Sequence, residues 1–346
     1  MATTLPQLTR TIDNAFLTTW YEIREMAIDN ILDATVIWAA LMGAGSMTPQ
    51  VGGRYITRTI RYGEQDAVDV AKGDTLPTGE PELETMARWD WKYIATHVQR
   101  STFDDQQNNG PSKIKDLVGL KLEAARDGLE QRYETVLLSA YSSSETGKGL
   151  QGLNDLVPAR ADSDNGDNYG GIERPQTYTQ AANGIYTPET GTSNVNPWWG
   201  SKYLDGTLAS LEDDLLTDIK KLYNSLHNNQ AAPNLILTTQ TIFEAYEEFA
   251  LDISQIIKDE TNRLANLGFE VLRFKGKPLI WSPNITANTV MLLNTDFIEL
   301  VYDPQLWFDM TEFKPIPLQA ERIAHIMSAA NLIGTQPRRQ GRLLYA

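Results

Sequence analysis

The chain has 346 residues, 30 Lys and Arg against 45 Asp and Glu for a formal charge of -15, 41% hydrophobic residues and no cysteine. That length and composition fit a globular protein of one large or two ordinary domains, and the missing cysteine excludes disulfides, thiolate metal sites and thiol nucleophiles. The acidic balance excludes the Lys/Arg stripes that hold nucleic acid tightly, while leaving room for a wall against which DNA merely lies.

Met1 to Arg10 carries no basic segment leading into an apolar one, and no apolar stretch approaches ~18 residues, so intracellular synthesis and no membrane partner are expected. Ile12, Phe16, Trp20, Ile23, Ala27, Ile31 and Leu32 recur at near-helical spacing until Gly43 and Gly45, which predicts an N-terminal helical arm over 12 to 42. Arg54 to Tyr62 and Arg88 to Gln99 read as strands. In the second of these, Trp89, Trp91 and Tyr93 alternate with Arg88, Asp90 and Lys92. Between the strands, residues 64 to 84 hold seven acids (Glu64, Asp66, Asp69, Asp74, Glu80, Glu82, Glu84) and Lys72 alone, with Gly73, Pro77, Gly79 and Pro81 as turn residues. A hairpin this long, with few apolar residues at its tip, cannot cover a core of its own and is expected to lie on another molecule.

After Gly110-Pro111, Ser112 reads as an N-cap and Ile114, Leu117, Val118, Leu122, Ala125, Leu129, Tyr133, Val136 and Leu137 mark one helix face over 112 to 141. At ~1.5 Å per residue this spine is roughly 45 Å long. Residues 160 to 206 turn polar and Gly/Asn/Thr-rich, which predicts an elaborated surface loop ending near Trp198-Trp199. A second helix is expected to open at Asp205, with Leu208, Leu211, Leu215, Ile219, Leu222 and Leu226 on one face. The remainder reads as α/β. Leu235-Ile236-Leu237 is a buried strand, and a helix follows with Ile242, Tyr246, Phe249 and Ile253. Phe269 to Phe274 turns at Lys275-Gly276-Lys277 into Pro278-Leu279-Ile280-Trp281, Val290-Met291-Leu292-Leu293 is another buried strand, and Phe308 to Leu318, Glu321 to Ile333 and Arg342 to Tyr345 close the chain.

Catalytic signals are weak. His97, His227 and His325 sit in a strand, a helix end and a strand, with no paired carboxylates and no second histidine nearby in sequence, so no metal site is expected. Gly147-Lys148-Gly149 lacks the first glycine and the Ser/Thr of a phosphate loop, and Gly43-Ala44-Gly45-Ser46-Met47 displaces the serine of a nucleophile elbow by one residue. Asp162, Asp164 and Asp167 lack the glycine and distal glutamate of an EF-hand, so a solvated loop is expected there. Asn284-Ile285-Thr286 matches a glycosylation sequon by chance. The Trp89/Trp91/Tyr93 stripe could stack on a sugar or base, but core or subunit contact is the expected role. No catalytic, cofactor-binding or metal-binding residue is therefore assigned, and the chain is not expected to be an enzyme.

Taken in order, these parts resemble the tailed-bacteriophage major capsid proteins of the Hong Kong 97-type (HK-97-like) fold. Local textures that carry the resemblance are Leu235-Ile236-Leu237-Thr238-Thr239 before a helix with Tyr246, Phe274-Lys275-Gly276-Lys277-Pro278-Leu279-Ile280-Trp281, Leu293-Asn294-Thr295 and Asn331-Leu332-Ile333. The resemblance implies an α+β fold with an N-terminal arm (1 to 49), an E-loop hairpin (50 to 105), a P-domain spine helix (106 to 145), an A-domain with a central sheet flanked by helices (146 to 303), and P-domain return strands (304 to 346). It further implies self-assembly into pentamers and hexamers of an icosahedral head around packaged double-stranded DNA. Partners would be other copies of the chain, a portal, a separate scaffold or none, and decoration proteins, with assembly in the host cytoplasm. Some such proteins cross-link a hairpin lysine to a neighbour's asparagine. Lys72 is the sole tip lysine, no asparagine or glutamate partner can be assigned to it, and a solvated lysine is expected.

The expected intersubunit contact follows from charge. Residues 322 to 346 carry Arg322, Arg338, Arg339 and Arg342 with no acid, so the tip residues Glu64, Asp66, Asp69, Lys72, Asp74, Glu80 and Glu82 are expected to dock near Arg338, Arg339 or Arg342 of another copy. Two rivals stand beside this reading. One is an encapsulin-like cellular shell with protein cargo, against which the polar insertion speaks mildly. The other is a carbohydrate-active or hydrolytic enzyme, which would need a paired carboxylate site in a cleft.

Overall fold

The structure is a computed structural model that describes residues 36–65, 67–74, 78–79, 82–101, 111–138, 148–159, 168–190, 196–227, 231–252 and 272–346. The expected arm residues Ile12 to Leu32, the acids Asp66 and Glu80, and the aspartates Asp162, Asp164 and Asp167 lie outside the described residues.

In chain order the elements are helix α1 (Val36–Gly43), β1 (Met47–Pro49), β2 (Tyr55–Arg61), β3 (Glu84–Asp90), β4 (Lys92–Ser101), helix α2 (Pro111–Leu138), the one-turn helix α3 (Leu153–Leu156), β5 (Asn168–Tyr169) and β6 (Ile172–Glu173). There follow β7 (Tyr178–Gln180), β8 (Ile185–Pro188), β9 (Lys202–Gly206), helix α4 (Leu211–Leu226), β10 (Leu235–Thr238), helix α5 (Gln240–Asp252), β11 (Leu272–Phe274), β12 (Lys277–Trp281) and β13 (Thr289–Leu293). The last strands are β14 (Ile298–Tyr302), β15 (Asp309–Met310), β16 (Lys314–Pro315), β17 (Glu321–Gly334) and β18 (Gly341–Tyr345).

β17 is the axis of a six-stranded sheet: it pairs antiparallel with β14, β15, β16 and β4, while β1 joins β14 in parallel. The long helix α2 packs on the face that presents Val98, Ala324 and Ile326, with Leu122, Leu129, Tyr133 and Val136 buried beneath it. The Tyr133 hydroxyl pairs with that of Ser328 on β17. Ile37 and Leu41 of α1 enter the same core.

The second sheet has eight strands in the order β11-β12-β10-β13-β18-β9-β8-β7. Its central strands β10 and β13 are buried at every position, which is why they read as continuous apolar runs and not as alternating ones. Leu235, Leu237, Met291 and Leu293 face the core shared with the six-stranded sheet. Ile236, Val290 and Leu292 face the second core, under α4 and α5. The β11–β12 turn places Lys275 at φ 49 and Gly276 at φ 76, two successive left-handed residues whose twist matches a two-residue hairpin.

Four expectations are corrected. Residues 168–190 and 196–206 are not a surface loop: β7, β8 and β9 extend the eight-stranded sheet, and Tyr169, Ile185, Trp199 and Tyr203 are buried. Short strands of mixed polarity at a sheet end have little apolar periodicity to betray them. Asp205 does not open a helix. It lies in β9, whose parallel pairing with β18 takes Lys202–Gly206, and α4 begins at Leu211 with Glu212, Asp213 and Asp214 in its first turn. The closing segment 304–346 does not stay together, because β17 and β18 belong to different sheets. Finally, Arg88 to Gln99 is not one strand. β3 pairs with β2 over Glu84–Asp90, and after Trp91 the chain becomes β4 and pairs with β17. Odd residues (Ala87, Trp89) are buried before this break and even ones (Lys92, Val98, Arg100) after it. A one-residue offset turns every side chain over, so Tyr93 is 65% exposed and outside the core.

Candidate intersubunit surface

The β2–β3 hairpin buries Ile56, Ile60, Ala87 and Trp89 in the core, but beyond Tyr62 its tip has little packing of its own. Val68, Val70 and Met86 are exposed large apolar residues, at 59%, 50% and 64%. Glu64, Asp69, Lys72, Asp74 and Glu82 are all exposed. The tip turns at Lys72-Gly73, with Gly73 at φ 103; Asp74 closes this turn, its amide donating to the Ala71 carbonyl (3.1 Å) and its carboxylate accepting from the Ala71 amide (2.6 Å).

The paired strands of the hairpin are held firmly along their length. Arg58 forms an ion pair with Glu299 of β14, with Nη2 2.7 Å from Oε2. Trp89, 2% exposed, meets the Tyr169 ring edge-on at 5.8 Å. The Arg88 amide donates to the Gly170 carbonyl at 2.8 Å, and Tyr62 stacks on Trp198 at 4.7 Å with rings 10° from parallel. Gly170 (φ +61) is required twice over: the left-handed backbone disfavours a side chain, and a Cβ would sit 2.7 Å from Trp89. Tyr169, Gly170 and Trp198 all come from the segment expected to be a surface loop. Sequence reasoning missed this clamp, and its only visible signal was the isolated Trp198-Trp199 pair in a polar stretch.

Of the expected basic acceptors, Arg338 is exposed and Arg339 half-buried, both in the 3-10 turn Pro337–Arg339. Lys202 stands close by, its ammonium donating to the Ser225 carbonyl at 2.5 Å. Desolvation, and then the charge of Arg339, lower the pKa of Lys202; desolvation, and then Arg338, lower that of Arg339. Burial and a neighbouring cation thus both disfavour the charged forms of Lys202 and Arg339. Arg342 does not belong with them. It is 4% exposed, and Nη1 donates to Asn154 Oδ1 (3.1 Å) and the Val157 carbonyl (3.3 Å), so it braces α3 against the eight-stranded sheet and presents no charge to a neighbour. A polar residue inside a strand otherwise built of Leu343, Leu344 and Tyr345 carries no sequence mark of which face it takes.

Other singled-out residues take structural roles. Ser46 is buried and donates to the Thr295 carbonyl at 3.1 Å. Trp91 donates its indole N–H to the Gly53 carbonyl at 2.9 Å, tying the start of the hairpin to its end. An open cleft of about 310 Å³ lies between β4, α2 and residues 148–150, lined by Tyr93, Ile94, Arg132, Val136 and Lys148. No described helix is long and apolar enough to cross a membrane.

No family model matches the chain, and no curated protein matches it. Solved structures do. The capsid asymmetric unit of cyanophage A-1(L) superimposes with a TM-score of 0.58 at 17% identity, covering 86% of this chain and 90% of that one. The capsid of a native GTA particle follows with a TM-score of 0.54 at 11% identity, covering 88% and 90%. An encapsulin complex from Synechococcus elongatus PCC 7942 gives a TM-score of 0.47 at 13% identity, covering 90% and 88%. These likenesses show the fold: the chain has the HK-97-like fold of phage capsid structures.

Proposed function

We propose that this chain is a major capsid protein whose copies close, as pentamers and hexamers, into an icosahedral head around packaged double-stranded DNA. The observation that carries the reading is the β2–β3 hairpin: its paired strands are clamped to the body, while Met86 on the ladder and Val68 and Val70 at the tip are left in solvent. Apolar area left on a rigidly aimed arm is stabilising only when another surface covers it. In this reading residues 50 to 91 are the E-loop, α2 and the six-stranded sheet, with its strands β1 and β4, form the P-domain, and the eight-stranded sheet with α4 and α5 forms the A-domain, now including β18. The residues before β1 are the arm. The role is structural and not catalytic, and the chain resides in the virion after assembly in the host cytoplasm. Contacts between unlike patches are heterologous, so subunit curvature decides whether the assembly closes. Scaffold, portal and decoration proteins are its further partners, and DNA lies against the inner face without sequence-specific contacts.

The test is negative-stain microscopy of the purified chain, alone and with its scaffold. Uniform shells or capsomers support the reading, and a persistent monomer refutes it. The contents of native particles separate the rival shell: nuclease-protected double-stranded DNA supports a phage head, whereas a protein cargo in place of DNA supports an encapsulin-like compartment.

A further inference from the structure

Two of the three histidines, far apart in sequence, meet in the structure. His97 on β4 and His325 on β17 are direct cross-strand partners, and both are exposed. They lie on the solvent face of the six-stranded sheet, since the neighbouring even-numbered residues Val98, Ala324 and Ile326 are buried under α2. The backbone fixes the type of pair. His325 donates its amide to Thr311 Oγ1 at 2.9 Å and its carbonyl accepts from the Thr311 amide at 2.8 Å. In an antiparallel strand the N–H and C=O of one residue point to the same edge, and here both point away from β4. His97 and His325 are therefore a non-hydrogen-bonded pair, the closer kind, with Cα atoms about 4.5 Å apart and Cβ atoms within about 5 Å.

That spacing suits chelation. A tetrahedral ion with metal–nitrogen distances of about 2.0–2.1 Å needs its two imidazole nitrogens roughly 3.3 Å apart, within reach of two rings that leave one sheet face side by side. Among the described residues no three His, Cys, Asp or Glu gather closely enough to form a complete protein cage. The charged neighbours on this face are Glu321, hydrogen-bonded to Gln99, and Asp309 and Lys314 on β15 and β16. We propose that His97 and His325 form a two-point binding site for a divalent transition ion of the zinc, nickel or copper class, with water completing the shell. Imidazole donors select these ions over magnesium and calcium, which require oxygen ligands. Once one ring is bound the second is already in place, so the pair binds far more tightly than either ring alone. Bound metal clips β4, the strand that leads out of the β2–β3 hairpin, to β17.

The experiment is calorimetric titration of the purified, untagged full-length chain with zinc chloride and, separately, nickel chloride, with magnesium chloride as the control. One saturable ion per chain is expected, with at least a tenfold loss of affinity in His97→Ala and a like loss in His325→Ala, and no change in His227→Ala. Both altered residues are exposed, and unchanged circular dichroism checks that the variants fold. Absence of saturable binding by the unaltered chain, retention of full affinity by either variant of the pair, or loss in His227→Ala overturns the proposal.

Discussion

Adding a single methyl group at Gly170 tests the clamp that aims the hairpin. Gly170 sits at φ +61, where an L-residue costs about 1–2 kcal/mol, and its Cβ would stand 2.7 Å from Cζ2 and 2.8 Å from Cε2 of Trp89. Trp89 cannot swing aside, being 2% exposed and packed on Tyr169, so overpacking adds about 1–3 kcal/mol. Gly171→Ala is the matched control. Gly171 has a similar backbone (φ +73), but its Cβ would meet only the flexible Arg88 side chain at 3.3 Å, so that variant carries the backbone cost alone. Urea denaturation should place Gly170→Ala about 1–3 kcal/mol below Gly171→Ala, and limited proteolysis should cut its hairpin faster while α2 and the sheets stay protected. Because the clamp is local, Trp89→Phe should recover part of the Gly170→Ala loss by removing the second ring. Equal stabilities for the two alanine variants would refute the argument and leave the backbone angle as the whole cost.

Leu129→Asp places a carboxylate at a site 1% exposed beneath α2, at a cost of several kcal/mol, so it should yield insoluble or unfolded chain in an expression assay. Desolvation raises the pKa of Tyr133 and Tyr169, so the folded state keeps protons that the unfolded phenols release near 10. Stability should therefore hold up to that pH and then fall by about 1.4 kcal/mol per pH unit for each of the two, read as a falling urea midpoint. Arg338→Glu with Arg339→Glu should weaken assembly measured by light scattering, and Glu64→Lys with Glu82→Lys should partly restore it. Normal assembly of the double reversal by itself would show that the hairpin docks through its apolar residues, since exposed pairs are worth only ~0 to 1 kcal/mol each. Mature particles should dissolve in hot detergent to one band near the chain mass of 38.7 kDa, whereas a ladder would show covalent linkage through a residue such as Lys72.

The parts legible in the sequence are those whose signal is local and repeated. The helix face from Leu122 to Leu137, the buried runs of β10 and β13, and the Lys275-Gly276 turn each announce themselves within a few residues, because period, uniform apolarity and left-handed turn chemistry are properties of short segments. The charge contrast between the hairpin tip and the last 25 residues was equally plain, as was the lack of an independent core in the tip. Tertiary structure alone decided which of those arginines face solvent. Arg342 and Arg338 look alike in sequence, but the parallel pairing of β18 with β9 turns Arg342 inward onto Asn154 and leaves Arg338 outside. The same holds for the break at Trp91, where a change of partner strand reverses which residues are buried, and for the polar segment that proves to hold Trp89. His97 and His325 make the point most simply: nothing in either neighbourhood hints at the other, because long-range strand register is set by the packing of whole sheets and leaves no trace in the spacing of the residues it brings together.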